Sequence, residues 1–250
     1  MKHEEWVSLL QKLASTDVVL LQQGLDIFKN SVEREGAAVL TEYVKKSSKC
    51  VELKNALRSI SNCNPVMKEP LLLKFFMLIA SVYRASLARP ENESCESVCH
   101  FLMYYTFVAN SHLLHLLMAP NVINYRYMIN FIHAILGYLT GIKEDTLAMA
   151  WLTKIQFGGR KWEAFWQQFP RIMEEQQKSG QDTHDNEKKI KSMTKELSGI
   201  AYMLLRLWIS YHVHSNRMLL YDIITKIPSF WQAVLTYGDK FLNSRTVELM

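Results

Sequence analysis

Apolar residues recur at helical spacing along almost the whole chain, and this periodicity limits the fold more than any other feature. In the first segment Trp6, Leu9, Leu10 and Leu13 fall three or four positions apart, which places them on one face of a helix. The chain of 250 residues contains only 9 Gly and 6 Pro, too few for the closely spaced turns of a β-sandwich or barrel. We therefore expect an all-α protein.

The predicted helices are closely spaced. The apolar pattern predicts a helix carrying Val18 to Phe28 and further helices over 4–13, 37–46, 48–60, 69–88, 94–118, 121–139, 143–155, 160–177, 190–214, 218–226 and 230–241. Short turns join them, and none carries a heptad seam long enough for a coiled coil. This favours an α-solenoid of paired antiparallel helices, similar to HEAT or armadillo repeats. An irregular helical bundle is the alternative, because no sequence period is visible.

One segment differs in composition from the rest of the chain. Residues 176–189, QQKSGQDTHDNEKK, contain no aliphatic or aromatic side chain, so they cannot offset their ordering entropy by burial. We expect a mobile loop here, between a helical-repeat body over 1–175 and C-terminal helices over 190–250. Those last helices carry more apolar surface than they could hide alone, so we expect them to dock on the same body.

The charge balance permits an acidic partner without requiring one. Lys and Arg total 29 against 24 Asp and Glu, a formal net charge of +5, and most basic residues are spread along the chain. The exception is a group on the third and fourth helices, formed by Lys45, Lys46, Lys49, Lys54 and Arg58. The simplest interpretation is a solvated face. The functional interpretation is a surface that binds other protein subunits, or nucleic acid through its phosphates.

A second candidate surface is aromatic. Trp162, Phe165, Trp166 and Phe169 fall on one face of a predicted helix. Aromatic side chains anchor many protein interfaces, so Trp162 and Trp166 are candidate partner-binding residues. The same spacing is equally typical of a helix that packs onto the body of its own domain.

Two cysteines and two histidines raise the question of a metal site. Cys95, Cys99, His112 and His115 form a C-x3-C-x12-H-x2-H pattern, close to the spacing of a zinc finger. In an unbroken helix, however, His112 would lie about 20 Å along the axis from Cys99 at roughly 1.5 Å per residue. We therefore expect buried thiols and no cofactor, with a small zinc-binding helical protein as the alternative function.

Motifs for catalysis and membrane insertion are missing from the sequence. It has no nucleophile elbow, no H-E-x-x-H and no glycine-rich phosphate loop, so we expect no enzymatic activity. The most apolar stretch is interrupted by His100, Asn110 and Pro120, which are costly in a bilayer, so we expect no membrane contact. Four cysteines in a chain of this length, and an N-terminus with charges inside any apolar run, indicate a reducing compartment.

Two stretches resemble nuclear helical-repeat proteins. Residues 124–127 (Asn-Tyr-Arg-Tyr), the apolar run 131–136 and the turn 142–145 resemble a HEAT unit of the condensin G subunit. Residues 43–53 (Tyr-Val-Lys-Lys-Ser-Ser-Lys-Cys-Val-Glu-Leu) and the helices after them are similar to the N-terminal helical-repeat domain of a large scaffold of 60S ribosome biogenesis. These resemblances imply a non-enzymatic scaffold in a nuclear assembly, of chromatin or of ribosome biogenesis, with the cytoplasm as the alternative location.

A third stretch resembles a histone chaperone. Residues 223–231, Ile-Ile-Thr-Lys-Ile-Pro-Ser-Phe-Trp, look like the segment that opens the globular part of SET/NAP proteins. Only residues 232–250 follow it, without room for the sheet of that family. We therefore expect no chaperone activity.

Overall fold

The protein is all-helical wherever its structure is described. The computed structural model describes residues 2–88, 93–110, 112–113, 116, 118, 122–142, 145–178, 183–211 and 214–239. Every regular element in these ranges is a helix and none is a strand, which confirms the all-α prediction. The chain divides into two compact units, Met1–Leu117 (unit 1) and Met118–Met250 (unit 2).

The α-helices described in unit 1 pack on one another in pairs. Its elements are α1 (His3–Leu13), α2 (Val18–Glu35), α3 (Ala37–Lys46), a 3-10 turn (Ser48–Cys50), α4 (Val51–Asn62), α5 (Pro65–Leu87), α6 (Glu93–Met103) and a π-helical segment (Tyr104–Ala109). Besides its neighbours, α1 packs against α4, α2 against α5, and α3 against α6. Each of the first three helices therefore contacts the third α-helix after it in the chain.

Polar side chains cap the starts of α2 and α5. The carboxylate of Asp17 accepts hydrogen bonds from the backbone N–H groups of Val19 and Leu20, at 2.8 and 3.1 Å. Asn64 Oδ1 accepts one from the N–H of Val66 at 2.9 Å. These bonds satisfy N–H groups that have no partner inside the helix. They fix the turns between α1 and α2 and between α4 and α5.

Contacts to charged side chains stabilise the position of α2 relative to α5. Lys74 Nζ lies 2.6 Å from a carboxylate oxygen of Asp26, and the Ser81 hydroxyl donates to Glu33 at 2.8 Å. Burial raises the pKa of Glu33, but hydrogen bonds from Lys29 and Ser81 outweigh it and hold the pKa below its ordinary value. Because the folded pKa is lowered, this stabilisation is present above the unfolded pKa and is lost as the pH falls.

The start of α4 differs from the prediction of a helix over 48–60. Lys49 and Cys50 both have φ of 53°, a left-handed conformation that is costly for residues with a side chain. A regular helix cannot pass through them, so α4 begins after them. The hydroxyl of Ser47 donates to the carboxylate of Glu52 across this turn. Ser47 and Glu52 lie on either side of the turn, so their contact stabilises the left-handed conformation at Lys49 and Cys50. The sequence of the turn itself does not indicate that conformation.

The predicted helix over 94–118 is interrupted in the structure, and residues 111, 114, 115 and 117 of it lie outside the described residues. The α-helix ends at Met103, and Tyr104–Ala109 is π-helical. Asn110 leaves helical geometry, with φ −132° and ψ 36°, and its side-chain amide donates to the carbonyl of Tyr105 at 2.9 Å. Side-chain bonds of this kind compete with the backbone bonds that would continue a helix.

Unit 2 is arranged around one long helix. Its described elements are α7 (Val122–Gly141), α8 (Asp145–Ile155), α9 (Arg160–Gln167), α10 (Phe169–Lys178), α11 (Thr183–Ser210), α12 (His214–Thr225) and α13 (Pro228–Tyr237). The long helix α11 packs against α7, α10, α12 and α13, while α9 packs against α13 and α8 against α12.

The segment predicted as a loop over 176–189 is mostly helical. Residues 176–178 belong to α10 and residues 183–189 to α11, and 179–182 lie outside the described residues. Although the segment buries little, Lys189 Nζ forms an i,i+4 ion pair with Asp185, and Lys and Glu have good helix propensity. The loop assignment is therefore corrected, and the boundary between the two units does not fall at this segment.

Aromatic side chains form the core where α7, α9 and α13 meet. The rings of Tyr125 and Phe165 stack at 4.0 Å between centroids, and the Tyr125 hydroxyl donates to the carbonyl of Phe165. Burial raises the pKa of Tyr125, so the hydroxyl stays protonated. Trp166 lies 4.8 Å from Phe230 of α13. Helix α13 thus packs on the aromatic face of α9.

A glycine permits the close contact between α7 and α11. His133 Nδ1 on α7 is hydrogen-bonded to the carboxylate of Glu196 on α11. A Cβ placed on Gly199 would lie 2.6 Å from His133 Nε2, which is closer than van der Waals contact. The ring would have to shift to make room, and its bond to Glu196 opposes that shift.

We expect Gly199→Ala to reverse the sign of its effect when His133 is removed. In the wild-type chain the steric strain of about 1–3 kcal/mol should exceed the roughly 1 kcal/mol gained in helix propensity. In the His133→Ala background only the propensity gain is left, so the substitution should stabilise. A double-mutant cycle by urea unfolding measures this difference. Stabilisation by Gly199→Ala in the wild-type chain would contradict the close contact.

The helix α5 meets the length and composition of a membrane span. It has 23 residues, and 61% of its most apolar window is buried inside the structure. Core helices of globular proteins have the same composition, and the buried face of α5 includes Leu72, Phe75, Ile79 and Val82. The contacts of α5 within unit 1 account for its apolar character.

Candidate interaction surface

The structure brings two of the five predicted basic residues onto one face. Lys54 and Arg58 are exposed and stand one turn apart on α4, and we call this pair the α4 basic face. Lys54 Nζ lies 5.7 Å from the centre of the Tyr105 ring. Neither residue forms an ion pair with any other described residue. Lys49 is exposed in the left-handed turn before α4.

The two remaining basic residues are partly neutralised. Lys45 and Lys46, at the end of α3, lie 3.9 and 3.3 Å from the carboxylate of Glu42. A lysine that shares a carboxylate with its neighbour offers less net charge to a partner. The charge available for binding is therefore concentrated on α4 and the turn before it.

A cleft opens beside the α4 basic face, between the α1–α2 and α4–α5 turns. It has a volume of about 520 Å³, which is within the range of ligand-binding pockets. Its lining consists of Ala14, Thr16, Val18, Asn55, Arg58, Ser59, Asn62, Cys63 and Asn64. No carboxylate or imidazole is among these side chains. Arg58 is its only charged group, so the cleft carries positive charge.

The acidic residues nearest in sequence already have partners. The carboxylate of Asp17 caps α2, and that of Glu52 accepts a hydrogen bond from Ser47. By contrast, the side chains of Asn55, Ser59 and Asn62 make no hydrogen bond to any other residue in the described part of the chain. The cleft therefore presents free amide and hydroxyl groups next to a guanidinium.

Exposed apolar side chains stand next to the cleft-lining residues in sequence. Val66 in the first turn of α5 is 77% exposed, and Val19 in the first turn of α2 is 62% exposed. Isolated exposed apolar residues are ordinary. Val19 directly follows the lining residue Val18, and Val66 comes two positions after the lining residue Asn64.

The two candidate tryptophans are core residues. Trp162 is 4% exposed and Trp166 is 0% exposed, and the indole N–H of Trp162 donates to the carbonyl of Ile155 at 3.2 Å. A partner cannot reach either ring in this structure, so their assignment as partner-binding residues is corrected. Spacing on a helix cannot distinguish the two uses, because an interface anchor and a core residue repeat with the same period.

The Cys/His pattern is not assembled in the part of the chain that the structure describes. Cys95 and Cys99 are buried, and Cys99 Sγ lies 3.1 Å from the Ser86 hydroxyl. His112 is exposed, and His115 lies outside the described residues. No group of three metal-ligating side chains occurs among the described residues. Both thiols are buried, as the sequence predicted.

Cys63 is the one cysteine with partial exposure, and it lies in the cleft. Cys50 is buried, and burial, assisted by the charge of Glu52, raises its pKa to about 11. Cys95 and Cys99 are 1% and 0% exposed. We expect one fast-reacting thiol per native chain with the disulfide reagent DTNB and four after unfolding, because the reagent needs an accessible thiolate.

The variant Cys63→Ser is the control for this labelling experiment. It should remove the fast phase and leave the slow one unchanged. A fast phase that survives in Cys63→Ser would show that one of the buried thiols is accessible.

The cleft could not have been found from the sequence. Its residues come from the α1–α2 turn and, about forty positions later, from α4 and the turn after it. Polar residues at helical spacing are typical of any solvated helix face. Of its members, only Arg58 stood out, through its charge.

Comparisons of the chain with protein-family models, with curated proteins and with solved structures found nothing that it resembles significantly.

Proposed function

We propose that this chain is a non-enzymatic helical interaction module that binds an acidic segment of a partner protein through unit 1, within a nuclear assembly of chromatin or ribosome biogenesis. The observation that carries the proposal is the α4 basic face. Lys54 and Arg58 are exposed and form no ion pair with any described residue, and Arg58 lines a cleft without carboxylates.

The packing of unit 1 supports the solenoid part of the proposal. The contacts of α1 with α4, α2 with α5 and α3 with α6 are those expected when one three-helix unit stacks on the next, as in armadillo-like repeats. Stacked units present extended surfaces formed by equivalent elements of successive repeats. The cleft lies at such a place, between the turn that follows α1 and the turn that follows α4.

The chemistry of the cleft supports binding rather than catalysis. Its lining holds a guanidinium, amides, hydroxyls and one thiol, and no imidazole or carboxylate to act as a base. General acid–base or nucleophilic catalysis needs such a group within hydrogen-bond reach of the nucleophile. The ionisable residue pair His133–Glu196 joins two helices of unit 2 and serves their packing.

A protein partner fits the surface better than nucleic acid. Binding to a nucleic acid backbone depends on many phosphate contacts, and a dedicated binder therefore carries a stripe of basic residues. Here Lys45 and Lys46 share Glu42, which leaves few free cations. The amide-rich lining of the cleft suits a peptide backbone, since each side-chain amide offers both donors and an acceptor. The nuclear location comes from the sequence resemblances alone.

Affinity purification of the tagged full chain from its native cells tests the proposal. Wild type should retain subunits of a nuclear assembly that contain acidic segments, and the double variant Lys54→Glu/Arg58→Glu should lose them. The matched control Arg160→Glu/Lys161→Glu changes the same charge at two exposed residues of unit 2 and should retain them. Equal retention by all three proteins would overturn the proposal.

A further inference from the structure

We infer that the cleft between the α1–α2 and α4–α5 turns binds one acidic side chain of an extended peptide. The residues on either side of this acidic residue in the peptide are apolar. The inference rests on the proposed function, because it states where and how unit 1 would hold its acidic partner. It goes further by naming the residue that receives the carboxylate, Arg58, and the sequence character of the bound segment.

The charge of the residues that line the cleft favours a carboxylate as the bound group. Arg58 is the only charged residue of the lining, and Lys54 stands one turn before it on the same face of α4. A guanidinium binds a carboxylate through two parallel hydrogen bonds. A second cation one turn away favours a second acidic residue in the segment. No acidic side chain lines the cleft to compete for Arg58.

The polar side chains that line the cleft favour a peptide with an extended backbone. Asn55, Ser59 and Asn62 repeat at helical spacing along α4, and their side chains make no hydrogen bond within the described residues. An extended peptide has N–H and C=O groups that point outward and need partners. Three free amide and hydroxyl side chains along one helix can meet those groups. A segment already folded as a helix would have satisfied its own backbone.

Exposed apolar side chains close in sequence to the lining favour apolar neighbours of the acidic residue. Val66 and Val19 lie in the first turns of α5 and α2, within two positions of lining residues, and are 77% and 62% exposed. In an extended peptide, side chains alternate in direction with a period of two. A carboxylate directed at Arg58 therefore leaves its neighbours directed elsewhere, where apolar ones can cover these valines.

Selection from a library of random peptides displayed on phage, with the full chain as target, tests the inference. Enriched peptides should contain Asp or Glu flanked by apolar residues. A fluorescein-labelled synthetic copy of the most enriched peptide should bind wild type. Arg58→Ala should raise the Kd of this peptide about tenfold or more, as expected for the loss of a charge-assisted hydrogen bond. Arg171→Ala, at an exposed arginine of unit 2, should bind as wild type.

Labelling of Cys63 locates the bound peptide. Because Cys63 lines the cleft, saturating peptide should slow its reaction with DTNB, and far-ultraviolet circular dichroism of Arg58→Ala should confirm that the variant is folded. Acidic peptides that bind Arg58→Ala equally and leave the Cys63 rate unchanged would overturn the inference, while leaving the proposed function standing. Failure to enrich acidic peptides, with or without enrichment of other peptides, would overturn both.

Discussion

Replacing Trp166 with alanine should lower the free energy of unfolding by about 3–5 kcal/mol, the range observed when a buried aromatic residue is truncated. Trp166 is 0% exposed and contacts Phe230 at 4.8 Å and Phe165 at 5.0 Å between ring centroids. The truncation removes these contacts and leaves a cavity between α9 and α13. Urea unfolding followed by circular dichroism measures the loss, with the m-value as a check on the unfolded state.

Two control variants separate lost packing from other effects. The indole N–H of Trp166 has no hydrogen-bond partner in the described part of the structure, so Trp166→Phe should cost much less, about 1.5 kcal/mol or below. Leu235→Ala, at a residue of α13 that is 71% exposed, should change stability by at most about 0.5 kcal/mol. An unfolding midpoint of Trp166→Ala equal to that of wild type would contradict the packing of α13 on α9.

Reversing the charge of Lys54 and Arg58 together should weaken binding of the selected acidic peptide by about 2–4 kcal/mol, a factor of roughly 30 to 1,000. The substitution turns two attractions into two repulsions at exposed positions where no described residue compensates. Because the charges are exposed, the effect should shrink as ionic strength rises. Fluorescence anisotropy titrations at low and high salt measure both changes.

The matched control is again Arg160→Glu/Lys161→Glu. It alters the net charge of the chain equally, at residues that are exposed at the start of α9. Negative charge is tolerated there because a helix N-terminus is electropositive. If the control lost as much affinity as Lys54→Glu/Arg58→Glu, binding would depend on net charge and not on the α4 basic face.

Helical periodicity was enough to predict the all-α fold. The positions of Trp6, Leu9 and Leu13 on one face of α1 are buried as their spacing indicates, because burial of apolar area is what stabilises a helix in a protein. Gly36 and the Asn64–Pro65 pair also lie at helix boundaries, as their conformational preferences indicate. These signals are local and can be read without the tertiary structure.

Features that depend on distant residues were missed. The left-handed turn at Lys49 and Cys50 is bridged by a contact between Ser47 and Glu52, and no local pattern marks it. The end of α10 and the start of α11, which lie within residues 176–189, were missed because the low hydrophobicity of this segment predicted a loop. Helix propensity and an ion pair between Asp185 and Lys189 favour a helix there. The cleft depends on two turns meeting in space, which composition cannot show.

The most direct test compares an acidic peptide with nucleic acid as ligands of the same protein. The fluorescein-labelled acidic peptide and a labelled DNA duplex would each be titrated with wild type and with Lys54→Glu/Arg58→Glu at about 0.15 M ionic strength. We predict that the peptide binds wild type more tightly than the duplex does, and that only peptide binding is lost in the variant. Tighter binding of the duplex, lost in the variant and falling steeply with salt, would contradict a protein-binding surface.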